Sequence, residues 1–485
     1  MRYVAGVERT QSVMFPHSLD EYISEENPVR FIDAYVGSLD LVELGFAHAT
    51  PSETGRPAYD PGDLLRLYIY GYLNGVRSSR RLQKEAERNV EVMWLMRKLR
   101  PDFKTIADFR AVNRCALTRV FKELVVFCRE LDLFGGELVA VDGSKFRASN
   151  SRKRVFTAAK LADRLRRIEE QIRAYLAELD HNDQEQEQEQ APEVSLSAQE
   201  LQARIAQLHE RQQHYRTLVA AMKEQQVTQI ALTDPDARLM PQSQAQGGGT
   251  VVAYNVPTVV DAKHKLIATY AVTTEGNDLR QLTNMARPAK EALAVESLEV
   301  LGDCGYYDGD EVAQCEAEGI QAYIPKPENS SKSHSQGLFS KADFRYDAAT
   351  DRYRCPAGQW LTYRFSNRQD RRELKHYYTS ACTRCEMRPQ CTKRAEGPRQ
   401  VTRLVNEEAL ERMAERMTAD PEKFKLRKTL AEHPFGTLKR AWNHGYFLMR
   451  SLSKVDAESA LSALTYNITR AINILGVPAL VAALA

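Results

Sequence analysis

Two apolar β-forming runs in this chain each lead to an aspartate, and this pair of acids constrains the fold more than any other feature. Residues 138–141 (LVAV) precede Asp142, and residues 297–301 (SLEVL) lead through Gly302 to Asp303. One acid behind a strand is usually the start of a turn. Two acids at the ends of two strands of one sheet can instead hold a hard divalent cation, which prefers oxygen ligands. We therefore expect Asp142 and Asp303 to act together.

The order of the elements around these runs predicts one mixed α/β sheet. After the first run come an insertion, two β-runs (TVVAYNVPTVVDA and KLIATYAVTT), a helix, the strand before Asp303, another helix and the short strand QAYIPKP. A β-hairpin followed by strands joined through helical crossovers is the ribonuclease H-like arrangement. The sequence therefore favours an α/β fold of this type.

The first 130 residues show helical periodicity. Asp60 is a candidate helix cap with Pro61 at the first helical position. A second helix is expected from Ser78 or Ser79, and the basic residues at its start and on its surface are Arg77, Arg80, Arg81, Lys84 and Arg88. A helix followed by a glycine-containing turn and a basic helix is the arrangement of a DNA-binding unit. A plain helical bundle with a solvated charged face fits this periodicity equally well.

Residues 157–227 predict an antiparallel helical hairpin, inserted after the first strand. Apolar residues step by three and four along residues 161–179 and again along residues 201–222. The polar segment between them, DHNDQEQEQEQAPEVSLS, lacks the apolar residues that a packed core needs. The two helices are therefore expected to pack against each other.

Charge and composition limit the class of protein. The 67 basic and 65 acidic residues leave a net charge of +2, so any surface that binds nucleic acid must be local. No stretch approaches the roughly 20 apolar residues that cross a membrane, and the N-terminus lacks the apolar core of a signal peptide. We therefore expect a cytoplasmic, nucleoid-associated protein with reduced thiols and no membrane partner.

Four of the eight cysteines lie close together in the sequence. Cys382 and Cys385 form a Cys-x2-Cys pair, with Cys355 and Cys391 on either side. In a reducing compartment this pattern predicts a closed tetrahedral Zn²⁺ site, and free buried thiols are the alternative. The remaining cysteines are expected in the core: Cys115, Cys128, Cys304 and Cys315.

A third acid, Glu432, stands in the segment KFKLRKTLAEHPFGTLKRAW. It lies four residues after Lys428 and seven before Lys439, which places the three side chains on one face of a helix. A surface ion pair is the ordinary interpretation of such a stripe. Pro434 and Gly436 follow closely, and both are poor choices for an exposed helix, which favours a functional role for the acid.

The chain resembles the DDE transposases of bacterial insertion sequences over nearly its whole length. The resemblance rests on the segments YDPGDLLRLYIYGYLNGVRSSRRLQKEAERNVEVMWL, PDFKTIADFR, VAVDGSKFRASNS, LTDPDARLM, YNVPTVVDAKHKLI, GNDLRQL, VLGDCGYYDGDE and EHPFGTLKRAW. It implies a ribonuclease H-like (retroviral-integrase-like) catalytic domain with an all-α N-terminal domain, the inserted hairpin and a cysteine-rich insertion.

The resemblance also implies roles for single residues. Asp142, Asp303 and Glu432 would form a catalytic triad that holds two Mg²⁺ or Mn²⁺ ions. Lys439 would bind a phosphate near the scissile bond, with a salt bridge to Glu432 as the alternative. In the family's signature the upstream arginine position falls on Lys428 and the tyrosine position on Lys425. Both depart from the pattern, and lysine cannot form the planar two-pronged phosphate contact of arginine.

DNA contacts are expected from basic residues near the acids, since cations position the phosphate backbone. The candidates are Lys145, Arg147, Lys425, Arg427, Lys428, Lys439 and Arg440. Trp442 could stack on an unpaired base, although a single tryptophan on a helix belongs more often to the core. The implied partners are double-stranded DNA, as terminal inverted repeats and as target, and a second copy of the chain in a synaptic homodimer.

The expected function is binding of the terminal inverted repeats of an insertion sequence, DNA cleavage at the element ends and strand transfer. A ribonuclease H-fold DNA nuclease, or a transposase-derived DNA-binding protein without activity, is the alternative. The expected domains are a helical DNA-binding domain (1–130), a catalytic core (131–156 and 228–328), the inserted hairpin (157–227), the cysteine-rich insertion (329–405) and the C-terminal helices that carry Glu432 (406–485).

Overall fold

The computed structural model describes residues 18–51, 53, 57–187, 197–242, 248–327, 337–369, 372–393 and 396–485. Residues 1–17, where no signal-peptide core is expected, and residues 188–196 of the polar link lie outside the described residues. Among the described helices, none is both long enough and apolar enough to cross a membrane.

The N-terminal region is helical, as the sequence predicts. Asp60 caps one helix by accepting a hydrogen bond from the backbone N of Gly62 at 2.7 Å, and Ser78 is the N-cap of the next. The first of these two helices, α2, is buried on nearly every side, so it forms the centre of the bundle. The helices are α1 (Pro28–Ser38), α2 (Pro61–Leu73), α3 (Ser79–Arg88), α4 (Val90–Leu95), α5 (Phe103–Val112) and α6 (Arg114–Glu130).

A helical hairpin follows the first strand. Leu161, near the start of its first helix, packs with Leu218 near the end of the second, and Ile172 packs with Leu208 farther along. The two helices are therefore antiparallel, as their periodicity predicts. The elements are β1 (Leu138–Arg147), β2 (Val155–Thr157), α7 (Ala158–Glu187), α8 (Ala198–Glu224) and β3 (Gln229–Ala231), with β2 paired to β3.

A six-stranded sheet contains β1 at its middle. The other strands and the two crossover helices are β4 (Arg238–Pro241), β5 (Thr250–Asp261), β6 (Ile267–Tyr270), α9 (Leu282–Leu293), β7 (Leu298–Leu301), α10 (Gly309–Ala317) and β8 (Ile320–Tyr323). The strand order is β4-β5-β1-β7-β8, and β6 also pairs with β5. β5 is antiparallel to β1, whereas β7 is parallel to β1 and β8 to β7. The mixed α/β sheet that the order of elements predicts is confirmed.

β1 is longer than its sequence pattern predicts, and Asp142 lies within the strand. β5 pairs with β1 as far as Arg147, which lies opposite Ala253, whereas β7 pairs with β1 over residues 138–140. The expected strand end at Asp142 is therefore wrong, because the long partner strand β5 extends the ladder past Gly143. Asp142 instead marks the point at which β7 leaves β1.

The cysteine-rich segment forms a second sheet, which is antiparallel throughout. Tyr353, Leu361 and Tyr377 are buried in a small core of their own. The strands lie in the order β13-β12-β11-β10-β9. The elements are β9 (Arg345–Asp347), β10 (Arg352–Arg354), β11 (Trp360–Gln369), β12 (Arg372–Tyr378), a 3-10 helix (Ser380–Arg384), the one-turn helix α11 (Arg388–Cys391) and β13 (Val401–Leu404).

The C-terminal helices connect the N-terminal bundle to the six-stranded sheet. They are α12 (Glu407–Ala419), α13 (Pro421–Phe435), a π-helical turn (Gly436–Ala441), α14 (Leu452–Leu475) and α15 (Val477–Ala482). The side chain of Asn467 in α14 binds the backbone N and O of Ile267 in β6, each at 2.8 Å. Residues of α2, α6 and α14 share one apolar core with β1 and β7, so the bundle and the sheet pack directly on each other.

Candidate active site

Asp142 and Asp303 lie where β7 ends beside β1, in the middle of the six-stranded sheet. Asp142 is on β1 where β7 departs, and Asp303 follows β7 and caps the 3-10 helix Cys304–Tyr306. The Asp303 carboxylate accepts a hydrogen bond from the backbone N of Gly305 at 2.8 Å. A Cβ on residue 305 would lie 2.8 Å from Asp303 Oδ1, so any other residue there would make this carboxylate shift. The structure thus brings the two predicted aspartates together.

The protonation of Asp142 depends on its burial and on the charges around it. Burial, and after it the nearby charge of Asp303, raise the pKa of Asp142 to about 7. The Arg427 guanidinium acts in the opposite direction, with Nη1 at 3.7 Å from Asp142 Oδ2. Arg427 thus offsets part of the negative charge of this pair.

A further aspartate, Asp278, lies within electrostatic reach of this pair, and no sequence pattern marks it as a site residue. Asn255 Nδ2 on β5 donates a hydrogen bond to Asp278 Oδ1 at 2.6 Å. Burial raises the pKa of Asp278, and the charge of Asp303 adds to this rise, so the two acids are within electrostatic reach. Asp278 belongs to the segment GNDLRQL, but an acid between a strand and a helix has no periodicity that reveals its neighbours.

Helix α13 packs on β1 and presents Arg427 to Asp142. Leu430 and Ala431 are buried against β1 and fix the inward face of this helix. Lys428, which occupies the arginine position of the family signature, is exposed. The cation beside the aspartates is therefore one residue earlier than the signature predicts.

Glu432 is exposed on α13. Within the described residues, no group of three or more His, Cys, Asp or Glu side chains is close enough to hold a metal ion. The structure therefore does not bring Glu432 together with Asp142 and Asp303 as three adjacent carboxylates. Its place in the triad stays a prediction.

Lys439 reaches β1 from the π-helical turn. Its Nζ donates to Ser144 Oγ at 2.5 Å and to the backbone O of Lys145 at 2.7 Å. Burial lowers the pKa of Lys439 to about 8, and the charge of Asp142 opposes this change. Lys439 is thus a second cation, beside Arg427, on the side of β1 that faces α13.

The helix that carries Glu432 changes its pitch directly behind this residue. Pro434 lies in the last turn of α13, and the π-helical turn Gly436–Ala441 follows. A π-helix moves later side chains away from α-helical spacing. The expected stripe of Lys428, Glu432 and Lys439 on one helical face is therefore wrong, because Lys439 turns towards β1 while the other two are exposed.

Two parts of the chain match known protein families. Residues 17–112 match a family described as Transposase domain (DUF772). Residues 354–472 match a family described as Transposase DDE domain. The chain belongs to the DDE-type transposases of insertion sequences. No curated protein matches the chain.

One basic residue of the transposase that is predicted to contact DNA is instead buried. Arg77 Nη1 lies 3.3 Å from Glu458 Oε1 and donates to the backbone O of Tyr446 at 2.8 Å. Arg77 is 5% exposed and Glu458 is 0% exposed, so Arg77 links the turn before α3 to the C-terminal region and the expected DNA contact is wrong. The other basic residues of this group are exposed on α3: Arg80, Arg81, Lys84 and Arg88.

The other basic residues of the transposase that are predicted to contact DNA lie on β1, on α13 and on the π-helical turn. Those that are exposed are Arg147, Lys425, Lys428 and Arg440. Lys145 is half-buried, and its Nζ donates to the backbone O of Pro241 at 2.5 Å. Trp442 is half-buried against the main core, with its ring 5.6 Å from that of His444. The structure therefore favours the core alternative for Trp442 over base stacking.

The clustered cysteines of the transposase line one small cavity of about 20 Å³. Burial raises the pKa of Cys391, and the other three thiols add to this rise. The cavity is lined by Cys355, Cys382, Cys385 and Cys391. Four thiols around one space are the donor set that Zn²⁺ prefers, although among the described residues no three of them are at ligand spacing.

The remaining cysteines are only in part core residues. Cys128 and Cys315 are buried, as expected. Cys115 and Cys304 are exposed, so the expectation is wrong for these two. Each lies in the first turn of a helix, on the side that faces away from the core.

Proposed function

We propose that the transposase binds the terminal inverted repeats of its element, cleaves the DNA at the element ends and transfers the freed ends to a target. The observation that carries this proposal is the half-buried pair Asp142 and Asp303, with Arg427 Nη1 3.7 Å from Asp142 Oδ2. The strand order β5-β1-β7-β8, with one antiparallel and two parallel partners, supports a ribonuclease H-like catalytic core.

Asp142, Asp303 and Glu432 are proposed to hold two Mg²⁺ or Mn²⁺ ions, which would activate the attacking oxygen and stabilise the leaving oxygen of the phosphodiester. The donor chemistry fits, because hard cations prefer carboxylate oxygens. Asp142 on β1 and Asp303 after β7 supply such oxygens, and Arg427 opposes the protonation of Asp142. Glu432 would enter from the exposed side of α13.

Lys439 is proposed to bind a phosphate next to the scissile bond. With a pKa of about 8, its ammonium keeps its proton at neutral pH. Ser144 and the backbone of Lys145 hold Nζ on β1, two and three residues beyond Asp142. A phosphate at this place would give the largely buried ammonium a counter-charge.

A groove of about 620 Å³ at the far end of β1 offers a path for the DNA strand. Arg147 and Arg152 supply positive charge there, Asn150 supplies a polar side chain, and Tyr446 supplies an aromatic face for a base. The Arg147 guanidinium lies 5.8 Å from the centre of the Tyr446 ring. The exposed cations of α3 would hold the phosphate backbone of the terminal repeat.

The remaining parts of the proposal concern assembly. The four clustered cysteines would hold a structural Zn²⁺ that stabilises the second sheet. Two copies would act together, because both element ends must be joined, and a symmetric homodimer is the simplest arrangement. The domain limits expected from the sequence belong to this proposal as well.

A cleavage assay tests the proposed function. The full chain is incubated with Mg²⁺ and a labelled duplex that carries the terminal repeat, beside a scrambled duplex of the same length. We expect cuts at the element end, joined products when a target plasmid is added, and loss of both in Asp142→Asn with binding retained. Equal cutting of both duplexes would favour a ribonuclease H-fold DNA nuclease. Binding without cutting by the wild type would favour a transposase-derived DNA-binding protein without activity.

A further inference from the structure

The second sheet has a core on one face and an open surface on the other. Tyr353 on β10 and Leu361 on β11 are paired and buried in the core of this sheet. Successive residues of a strand project from opposite faces, so the neighbours of this pair project from the other side. These neighbours are Arg352, Arg354, Trp360 and Thr362. Trp360 is 41% exposed, and we call this surface the open face.

The open face continues along β11 and β12 with a second exposed ring. His376 precedes the buried Tyr377 in β12, so it projects from the open face, as does its partner Phe365. The two rings stack, with centres 4.4 Å apart and planes at 10°. His376 is 8% exposed and Phe365 is 41% exposed. One side of the Phe365 ring is therefore covered by His376, and the ring stays accessible to a further flat group.

Arginine side chains accompany the rings of the open face. The guanidinium carbon of Arg352 lies 5.1 Å from the centre of the Trp360 ring, and that of Arg354 lies 6.0 Å from it. The guanidinium carbon of Arg364 lies 5.3 Å from the centre of the Tyr378 ring, which belongs to the same face because Tyr378 is paired with Thr362. A group that stacks on Trp360 would thus have two cations within reach.

Acids do not neutralise these arginines. Asp347 is paired with Arg352 and projects from the open face, but its carboxylate accepts hydrogen bonds from the backbone N of Ala349 at 3.2 Å and from Thr350 Oγ1 at 2.5 Å. Within the described part of the chain, the arginines of this face form no salt bridge: Arg345, Arg352, Arg354 and Arg364. The open face therefore has positive charge that a polyanion would balance.

We propose that the open face of the second sheet binds single-stranded DNA, with bases stacked on Trp360 and Phe365 and phosphates held by the arginines. Cations beside exposed rings are the combination that binds single strands, because every base has a face that stacks. A duplex keeps its base faces inside, so exposed rings favour an unpaired strand. The proposal goes beyond the proposed function, which gives the second sheet a structural role and places the chemistry at Asp142 and Asp303.

Fluorescence anisotropy of the full chain with a labelled single strand of about 16 nucleotides, in EDTA, tests the proposal. We expect Trp360→Ala and Phe365→Ala each to weaken binding about 5- to 150-fold, the loss of one stacked base. Their affinity for a duplex of the same length should stay near the wild-type value. The matched control is Tyr363→Ala, because Tyr363 is 45% exposed on the same strand but is paired with Tyr377 and projects from the core face. This variant should bind the single strand as the wild type does.

Wild-type affinity of both Trp360→Ala and Phe365→Ala for the single strand would overturn the proposal, and so would an equal loss for strand and duplex. Displacement of the strand by polyglutamate of equal charge would overturn it as well, because the face would then select an acidic peptide equally. If the aromatic variants fail to fold, Arg354→Gln decides. Arg354 is exposed, so its loss should weaken binding and flatten the salt dependence, and unchanged values overturn the proposal. Since EDTA prevents cleavage, a wild type that binds the strand but never cuts end DNA overturns the proposed function alone.

Discussion

Arg427 Nη1 lies 3.7 Å from Asp142 Oδ2, across the contact between α13 and β1. This pair connects the helix of Glu432 with the strand that carries the first aspartate. It also fixes which face of α13 is turned to the site, since Lys428, one residue later, is exposed.

Replacing Arg427 with Gln should move the pH dependence of cation binding. The guanidinium lowers the pKa of Asp142, which is about 7 with Arg427 present, so its loss raises this pKa. More of Asp142 is then protonated at neutral pH, and Mn²⁺ binding should require a higher pH. Calorimetric titrations between pH 6 and 8.5 measure this shift. Lys428→Gln is the matched control, and a larger shift in Lys428→Gln would contradict the orientation of α13.

Without metal, the folded protein should lose stability as the pH rises from about 4 to about 7. The pKa of Asp142 is 3.8 ordinarily and about 7 in the fold, so in this range the folded state binds the proton more tightly than the unfolded state does. The contribution is present below the lower value and is lost as the pH passes the upper one. Thermal unfolding in EDTA measures it. Asp142→Asn lacks this group, so its Tm relative to the wild type should rise between pH 5 and pH 7.5. An unchanged difference would mean that Asp142 titrates normally.

Asp142→Asn, Asp303→Asn and Glu432→Gln should each abolish DNA cleavage and leave end binding in place. Each change removes one carboxylate from the same two-metal unit, so double variants should be no worse than single ones. Gel assays of cutting and binding on one end duplex measure both properties. Glu432→Gln is the most informative, because Glu432 is exposed on α13. Cutting by this variant at a near wild-type rate would remove Glu432 from the site.

The parts of the fold that follow from local sequence were predictable. Asp60 marks a helix start through a cap that involves its neighbours alone, and Ser78 stands at the N-cap position of the next helix, so both helices begin where the sequence predicts. The mixed sheet follows from the order of its elements, since chain connections limit strand order. Asp142 and Asp303 are recognisable because each follows an apolar run in the sequence.

The parts that depend on partners distant in the sequence were not predictable. The length of β1 is set by β5, which pairs with it beyond Asp142. Asp278 is held by a hydrogen bond from Asn255 in the space that Gly143 leaves, and no spacing in the sequence relates these residues. Lys439 leaves the face of Glu432 because the helix becomes π-helical behind it, a change that hydrophobic periodicity does not reveal.

Replacing Cys382 and Cys385 with Ser should release about one Zn²⁺ per chain and destabilise the second sheet. Structural zinc contributes folding free energy directly, so its loss should expose this sheet to proteolysis. Elemental analysis of protein purified without chelator gives the zinc content, and limited proteolysis gives the local stability. Cys304→Ser, at an exposed cysteine outside the cluster, is the control. Wild-type protein without zinc would remove the site.

Reversing the exposed charges of α3 should weaken binding to the element ends without unfolding the protein. Arg81→Glu with Lys84→Glu removes two exposed cations, so affinity should fall and its salt dependence should become flatter, because fewer counterions are released. Fluorescence anisotropy with end duplex at two salt concentrations measures both. If the affinities for end duplex and random duplex fall equally, these residues contact the DNA backbone only and do not recognise the sequence of the end.

Arg77→Ala should destabilise the protein and leave binding to the element ends unchanged, although Arg77 lies only three residues before Arg80. Its removal leaves Glu458 buried with the backbone N–H groups of Leu448 and Met449 as its remaining donors. An uncompensated buried charge costs about 3–5 kcal/mol, and because these donors remain, we expect the unfolding free energy to fall by about 3 kcal/mol. Urea unfolding measures this loss, and end binding by the folded fraction should remain near the wild-type value. A variant of wild-type stability that has lost its affinity for end DNA would make Arg77 a DNA contact after all.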